Sequence, residues 1–204
     1  MKKFFMTIAA VAVAATMNAQ VYVGGNIGVT SQSQDGNSTT KVSFNPEVGY
    51  MFNDKMGVGM ELTILTHGEQ ATANYDNGNI EKKTPTTIGF APYFRYKFVN
   101  NDNLDLFVDA AFVFATTSAS NVEIPGVYSG YINKATNAFG FAIKPGVAYK
   151  ATDHLSFVAK LGLLGFTSEK VDVSGAKARN TFNFMVGTDN FASNVLEFGL
   201  FYNF

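Results

Sequence analysis

Cysteine is absent from the 204 residues, histidine occurs twice, and neither charge sign dominates. Without cysteine the chain has no disulfide framework, so it must be stable on packing and hydrogen bonding alone. With 15 basic side chains against 16 acidic ones, there is no basic excess with which to hold nucleic acid. Beyond residue 20, glycine, asparagine or a charge interrupts every apolar run. None reaches the roughly 20 residues that a membrane helix needs.

The first twenty residues, MKKFFMTIAAVAVAATMNAQ, read separately. Lys2 and Lys3 form a basic start, Phe4 to Ala15 an apolar stretch, and Met17-Asn18-Ala19 a small-residue exit. This is the pattern of a secretory signal peptide, expected to be cleaved after Ala19. Residues 20–204 then form one domain, a natural size for a single unit.

What the remainder has in abundance is period-two alternation. Phe and Tyr are common, which suits strands better than helices. Eight segments of about ten residues alternate: VYVGGNIGVT, KVSFNPEVGYMF, MGVGMELTIL, TTIGFAPYFRYKF, LDLFVDAAFVF, AFGFAIKPGVAYK, LSFVAKLGLLG and VLEFGLFYNF. In the fourth, Ile88, Phe90, Phe94, Tyr96 and Phe98 share one face; in the last, Leu196, Phe198, Leu200, Tyr202 and Phe204 do. Such alternation marks strands with one apolar face.

Connections alternate as well. Residues 53–55, 99–103 and 151–154 are short and rich in Asn and Asp, whereas 31–40, 66–85, 117–135 and 168–194 are long and polar. Short turns on one rim, long loops on the other and ten-residue strands predict a transmembrane barrel. The fold class expected is all-β, an eight-stranded antiparallel transmembrane β-barrel. Ten strands is the alternative, because NTFNFMVGTDNFAS (residues 180–193) also alternates weakly; that stretch either extends the last hairpin or adds strands.

Alternation alone does not say which face meets water, since a lipocalin-like barrel keeps its grease inside. The opposite face decides. It carries Gly24, Gly49, Gly57, Gly59, Gly89, Ala91, Ala111, Gly140, Gly146, Ala148 and Gly199. A water-facing strand has no reason to be so small, but the lumen of eight strands is only just wide enough for side chains. Aromatic residues gather near the short turns (Tyr50, Phe52, Tyr96, Phe98, Tyr149, Tyr202 and Phe204), as in an interfacial girdle. Lipid therefore lies outside.

The small face also holds the charges. Glu47, Glu61, Arg95, Asp109, Lys144, Lys160 and Glu197 lie six to eight residues from a turn centre or the C-terminus, so they form a belt at one height. Counting from the turns sets Glu47 opposite Glu61 and Lys144 opposite Lys160, clashes that an open sheet would not tolerate. Rolled into eight strands, the second strand faces the sixth and the third the seventh, so Glu47 meets Lys144, Glu61 meets Lys160 and Arg95 meets Glu197, with Asp109 near Arg95 or the polar first strand. Lys97 and Asp105 flank one short turn, nearer the rim. The belt reads as a structural plug; an ion-selective constriction or proton relay is the functional alternative.

Together, the leader, the eight alternating strands, the short turns and the terminal FGLFYNF resemble the small outer-membrane barrels of the OmpX and OmpA type. The similarity is greatest to the PorT-like barrels of Bacteroidetes. The resemblance implies a bacterial outer-membrane location with membrane lipid as the surroundings. It also implies that Phe198, Leu200, Tyr202 and Phe204 form the signal read by the barrel-assembly machinery. It implies no common activity.

Chemistry has little to draw on. His154 lies in a short turn, while His67 sits beside Glu69 at the start of a long loop. With a loop Ser or Thr, the latter pair sketches a hydrolytic triad at the lipid rim, and an ordinary polar loop is the better reading. Two histidines at opposite rims do not make a metal site, and the glycines follow strand phase rather than any nucleotide-binding motif. No catalysis, cofactor or metal is expected. The third loop carries Ile124, Val127, Tyr128, Tyr131 and Ile132, and either packs over the barrel mouth or presents an edge to an extracellular partner. The expectation is a monomeric barrel with a closed, charge-paired lumen and a structural or interaction role played through its outer loops. A small porin or transporter and a lipid A-modifying enzyme are the competing classes.

Overall fold

Backbone polar groups can cross a bilayer only if every strand finds a partner on both sides, so alternating segments of this length must close on themselves. The computed structural model of the chain describes residues 21–34, 37–74, 79–124, 128–173, 177–184 and 196–204. The expected leader lies outside them. The strands are β1 (Val21–Gln34), β2 (Asn37–Met51), β3 (Met56–Thr66), β4 (Gln70–Ala73), β5 (Ile80–Lys83), β6 (Thr86–Asn100), β7 (Leu104–Thr117), β8 (Ser120–Ile124), β9 (Tyr128–Ile132), β10 (Thr136–Lys150), β11 (Leu155–Leu161), β12 (Leu164–Val171), β13 (Arg179–Phe184) and β14 (Leu196–Asn203).

The wall is antiparallel and closes through β14, which pairs with β1 from Tyr22↔Asn203 to Asn26↔Gly199 and with β11 from Leu155↔Tyr202 to Leu161↔Leu196. It has eight staves. Ten strands fall in the main sheet because the seventh and eighth staves are each in two pieces. β11 and β12 both pair with β10, on either side of Gly162-Leu163. β13 continues the line of β14, pairing with β12 from Leu164↔Phe184 to Glu169↔Arg179. The weakly alternating stretch before the last strand thus extends the final hairpin through residue 184; residues 185–193 of it lie outside the described residues.

Three prolines mark the wall at similar depth. Rungs are missing between β2 and β3 at Pro46, between β6 and β7 at Pro92, and beside Pro145, where β10 passes from β12 to β11. Proline has no N–H to give a ladder. The registers on either side of Pro46 and Pro92 nevertheless agree: Phe44↔Ile64 and Glu47↔Glu61, Phe90↔Phe114 and Tyr93↔Ala111.

Exposure follows the predicted phase. Phe90, Phe94, Phe98, Phe112, Phe139, Phe157 and Phe198 are exposed on the outer surface, while Ala91, Tyr93, Phe107, Ala111, Val158 and Phe201 are buried inside. Beyond the barrel, the structure departs from the expected loops. Residues 31–34 and 37–40 are strand rather than loop: β1 and β2 stay paired out to Gln34↔Asn37. The second and third loops are hairpins, β4–β5 and β8–β9, joined through a parallel pair, Thr72↔Tyr131 and Ala73↔Ile132, into a four-stranded sheet. Thr72 and Ile132 are buried in it. The side chains of Ile124, Val127, Tyr128 and Tyr131 lie outside the described residues.

Candidate functional site

Lumen-facing positions on neighbouring strands determine what can fill the interior. Tyr22 stands opposite Gly49, and Tyr93 opposite Gly59. A Cβ on either glycine would overlap the tyrosine ring beside it. The glycines therefore make room for two rings, whose hydroxyls meet at 2.6 Å. Tyr93 then donates to Glu47 Oε1.

From Glu47 the charges run on without a gap. Arg95 donates through Nε and Nη2 to the two oxygens of Asp109, each at 2.7 Å, and through Nη2 to Glu47 Oε1 at 3.0 Å. Its guanidinium lies 4.1 Å from the Phe107 ring centre, a favourable stacking for a cation inside a low-dielectric lumen. Lys160 contacts Glu47 Oε2 directly, and lies 3.4 Å from Glu61 and 3.5 Å from Asp109. Lys144 joins Glu61 at 3.0 Å to Glu197 at 3.3 Å. Asn26 Nδ2 closes the chain on Glu197 Oε2 at 3.5 Å.

All seven predicted belt residues thus meet in one network. Three details differ from the sequence reading. Glu47 meets Lys160 and Arg95, not Lys144, whose acids are Glu61 and Glu197. Arg95 is bound to Asp109 and Glu47, not to Glu197, whose cation is Lys144. Lys160 stands opposite Gly146 rather than Lys144, because the turn closes with Ala151 N–H on the Leu155 carbonyl and the ladder runs from there without a shift. Glu47 and Glu61 are register partners, and Lys160 bridges them.

Glu47, Glu61, Arg95, Asp109 and Lys160 are each at most 5% exposed. Charges so buried cost several kcal/mol apiece unless paired, and here each has an ionic partner. The belt contains four carboxylates and three cations, and the Tyr93 hydroxyl and Asn26 amide supply further donors to the acids. Nearer the short turns lies a second tier of opposite sign: Asp105 is held between Lys97 and Lys150, at 2.8 Å from each. Lys150, Tyr22, Tyr93 and Asn26 were not anticipated from sequence. The legible signal for the tyrosines was an aromatic residue in lumen phase beside glycine.

The other candidate residues fall at the rims. Phe198, Leu200 and Tyr202 are exposed on the outer face of β14, and the Phe204 ring packs edge-on to Tyr202 at 5.0 Å. His154 donates from Nδ1 to the Asn203 carbonyl at 2.9 Å and stacks on Tyr202. At the opposite rim, His67 Nε2 is 3.2 Å from Thr87 Oγ1, which meets Thr117 Oγ1 at 2.7 Å, while Glu69 pairs with Lys82 at 3.6 Å. Among the described residues there is no group of three His, Cys, Asp or Glu side chains placed to hold a metal ion.

A closed antiparallel wall with apolar side chains outward and paired charges inward is an outer-membrane β-barrel. The chain belongs to the outer membrane protein beta-barrel domain family, whose sequence model matches residues 4–204, and its location is the bacterial outer membrane. Among solved structures it is similar to Neisserial surface protein A, at 14% identity over 90% of this chain and 97% of that one, with a TM-score of 0.50. It is also similar to outer membrane protein W of E. coli (14% identity, 92% and 99% covered, TM-score 0.48). A third is Ail, the attachment invasion locus protein of Yersinia pestis (15%, 91% and 98%, 0.38). These likenesses concern the fold. No curated protein matches the chain in sequence.

Proposed function

We propose that this protein is a closed, non-conducting barrel whose lumen network is a structural plug and whose role, structural or interactive, is played by the outer hairpins. The observation that carries the reading is the continuity of the network from Asp109 through Arg95, Glu47, Lys160, Glu61 and Lys144 to Glu197. Its members fill the middle of a lumen that eight strands leave barely wide enough for side chains. The second support lies outside the membrane. Loops that merely connected strands would not need cross-pairing, whereas the β4–β9 pairing joins two hairpins into one sheet. A preformed sheet lowers the ordering cost of binding a partner.

The role is read by comparing surface attachment of cells carrying the intact chain with cells carrying a variant in which both hairpins are replaced by two-residue turns. Attachment lost at equal surface level supports the interaction role. Attachment unchanged leaves the hairpins without that role and contradicts it.

A further inference from the structure

Below the belt, the turn-side half of the lumen is not filled. A cavity of about 710 Å³ opens between the short turns, within the size range of small-ligand sites. Its inner end is formed by Arg95 and Phe107, its wall by Lys97, Asp105 and Lys150, and its mouth by Asp54, Asp102 and Asp153, one from each short turn. Because the belt closes the inner end, the cavity is a terminus and not a passage.

Two cations there have donors to spare. The bonds of Arg95 to Asp109 and Glu47 leave from Nε and Nη2, so Nη1 is not among their donors. Lys97 has Asp105 as its ionic partner, and an ammonium carries three N–H groups. Lys150, by contrast, is committed to Asp105, Asn100 Oδ1 and the Asn101 carbonyl. Asp105 answers only one of the two lysines beside it, so this tier carries a surplus positive charge facing the opening. The mouth has the reverse sign. Its three aspartates repel a dianion such as phosphate and attract a cation.

From this polarity we infer that the vestibule binds the carboxyl end of a short, positively charged peptide on the periplasmic side of the membrane. The carboxylate would enter first, towards Lys97 and Arg95, as charge-assisted hydrogen bonding favours. The cationic group would remain at the aspartate ring. Lys97 is in β6 and Asp102 two residues beyond its end at Asn100, so five residues of chain put them at most about 17 Å apart, which limits the peptide to about five extended residues. The inference concerns the opposite end of the barrel from the outer hairpins and stands or falls separately from their role.

Calorimetric titration of the full chain in micelles tests it with Lys-Gly-Gly-Ala as the free acid, the same peptide as its C-terminal amide, and inorganic phosphate. The free acid is expected to bind at least about tenfold more tightly than the amide or phosphate, one charge-assisted bond being worth about that factor. Lys97→Gln is expected to weaken the free acid about tenfold with unchanged circular dichroism. Asp102→Asn, at an exposed turn, weakens this peptide but leaves N-acetyl-Gly-Gly-Gly-Ala, which has no cationic group, unaffected. Equal binding of acid and amide, phosphate binding as tight as the acid, or no binding of the free acid would each overturn the inference.

Discussion

Lys160 on β11 and Glu47 on β2 are 113 residues apart in sequence and in direct contact across the lumen, with both side chains at most 1% exposed. Arg95 also holds Glu47, and Glu61 and Asp109 also approach Lys160, so removing either charge unbalances a network that has no water to compensate it. Glu47→Gln is therefore expected to lower stability by about 3 kcal/mol, read as a shift in the urea midpoint in lipid vesicles. Combining it with Lys160→Met should recover part of that loss. Strictly additive effects would mean that the contact carries no coupling.

The glycine–tyrosine pairs make a second claim about the same lumen. Gly59→Ala and Gly49→Ala place a methyl group inside the rings of Tyr93 and Tyr22 respectively. Each should cost about 2 kcal/mol by overpacking, and the same substitution at Gly165, where a Cβ meets nothing nearer than 3.7 Å, should cost far less. Equilibrium unfolding of the three variants checks the contrast.

On the lipid face, cost should depend on depth. Phe94→Arg, near the proline level, should destabilise by about 3 kcal/mol, and Phe98→Arg, four residues nearer the short turn, by about 1 or less. Equal penalties would contradict the placement of the girdle. The measurement is again the unfolding midpoint in vesicles.

The outer platform can be trapped. Ala73 and Ile132 are parallel register partners in a chain with no cysteine, so Ala73→Cys combined with Ile132→Cys should form a disulfide on mild oxidation. The crosslinked chain should migrate faster on a denaturing gel until reduced. No crosslink under oxidation would separate the two hairpins.

Much of this architecture was legible in the residues. Alternation located the eight staves, and the small residues between the apolar ones showed which side faces in. The seven belt residues could be named because charge in lumen phase is rare. Their partners could not be named so readily. Which side chains meet across a barrel depends on stagger, which a strand's own residues do not reveal. Counting from the turn placed Lys144 opposite Lys160, two rungs from the observed partner, Gly146, because the turn closes between Ala151 and Leu155 rather than one residue earlier. The extension of β1 to Gln34 and of β2 back to Asn37 was hidden for another reason. Above the lipid, both faces are polar, so pairing continues without any hydropathy period to reveal it. The parallel β4–β9 contact joins segments some 59 residues apart (Thr72↔Tyr131) and leaves no local trace.

The closed lumen is the claim on which the functional reading depends, and planar-bilayer recording tests it most directly. With insertion verified by the heat-dependent gel mobility of the recovered protein, the intact chain is expected to leave the membrane silent. Stable, reproducible single-channel openings from the same preparation would contradict it and make the barrel a pore.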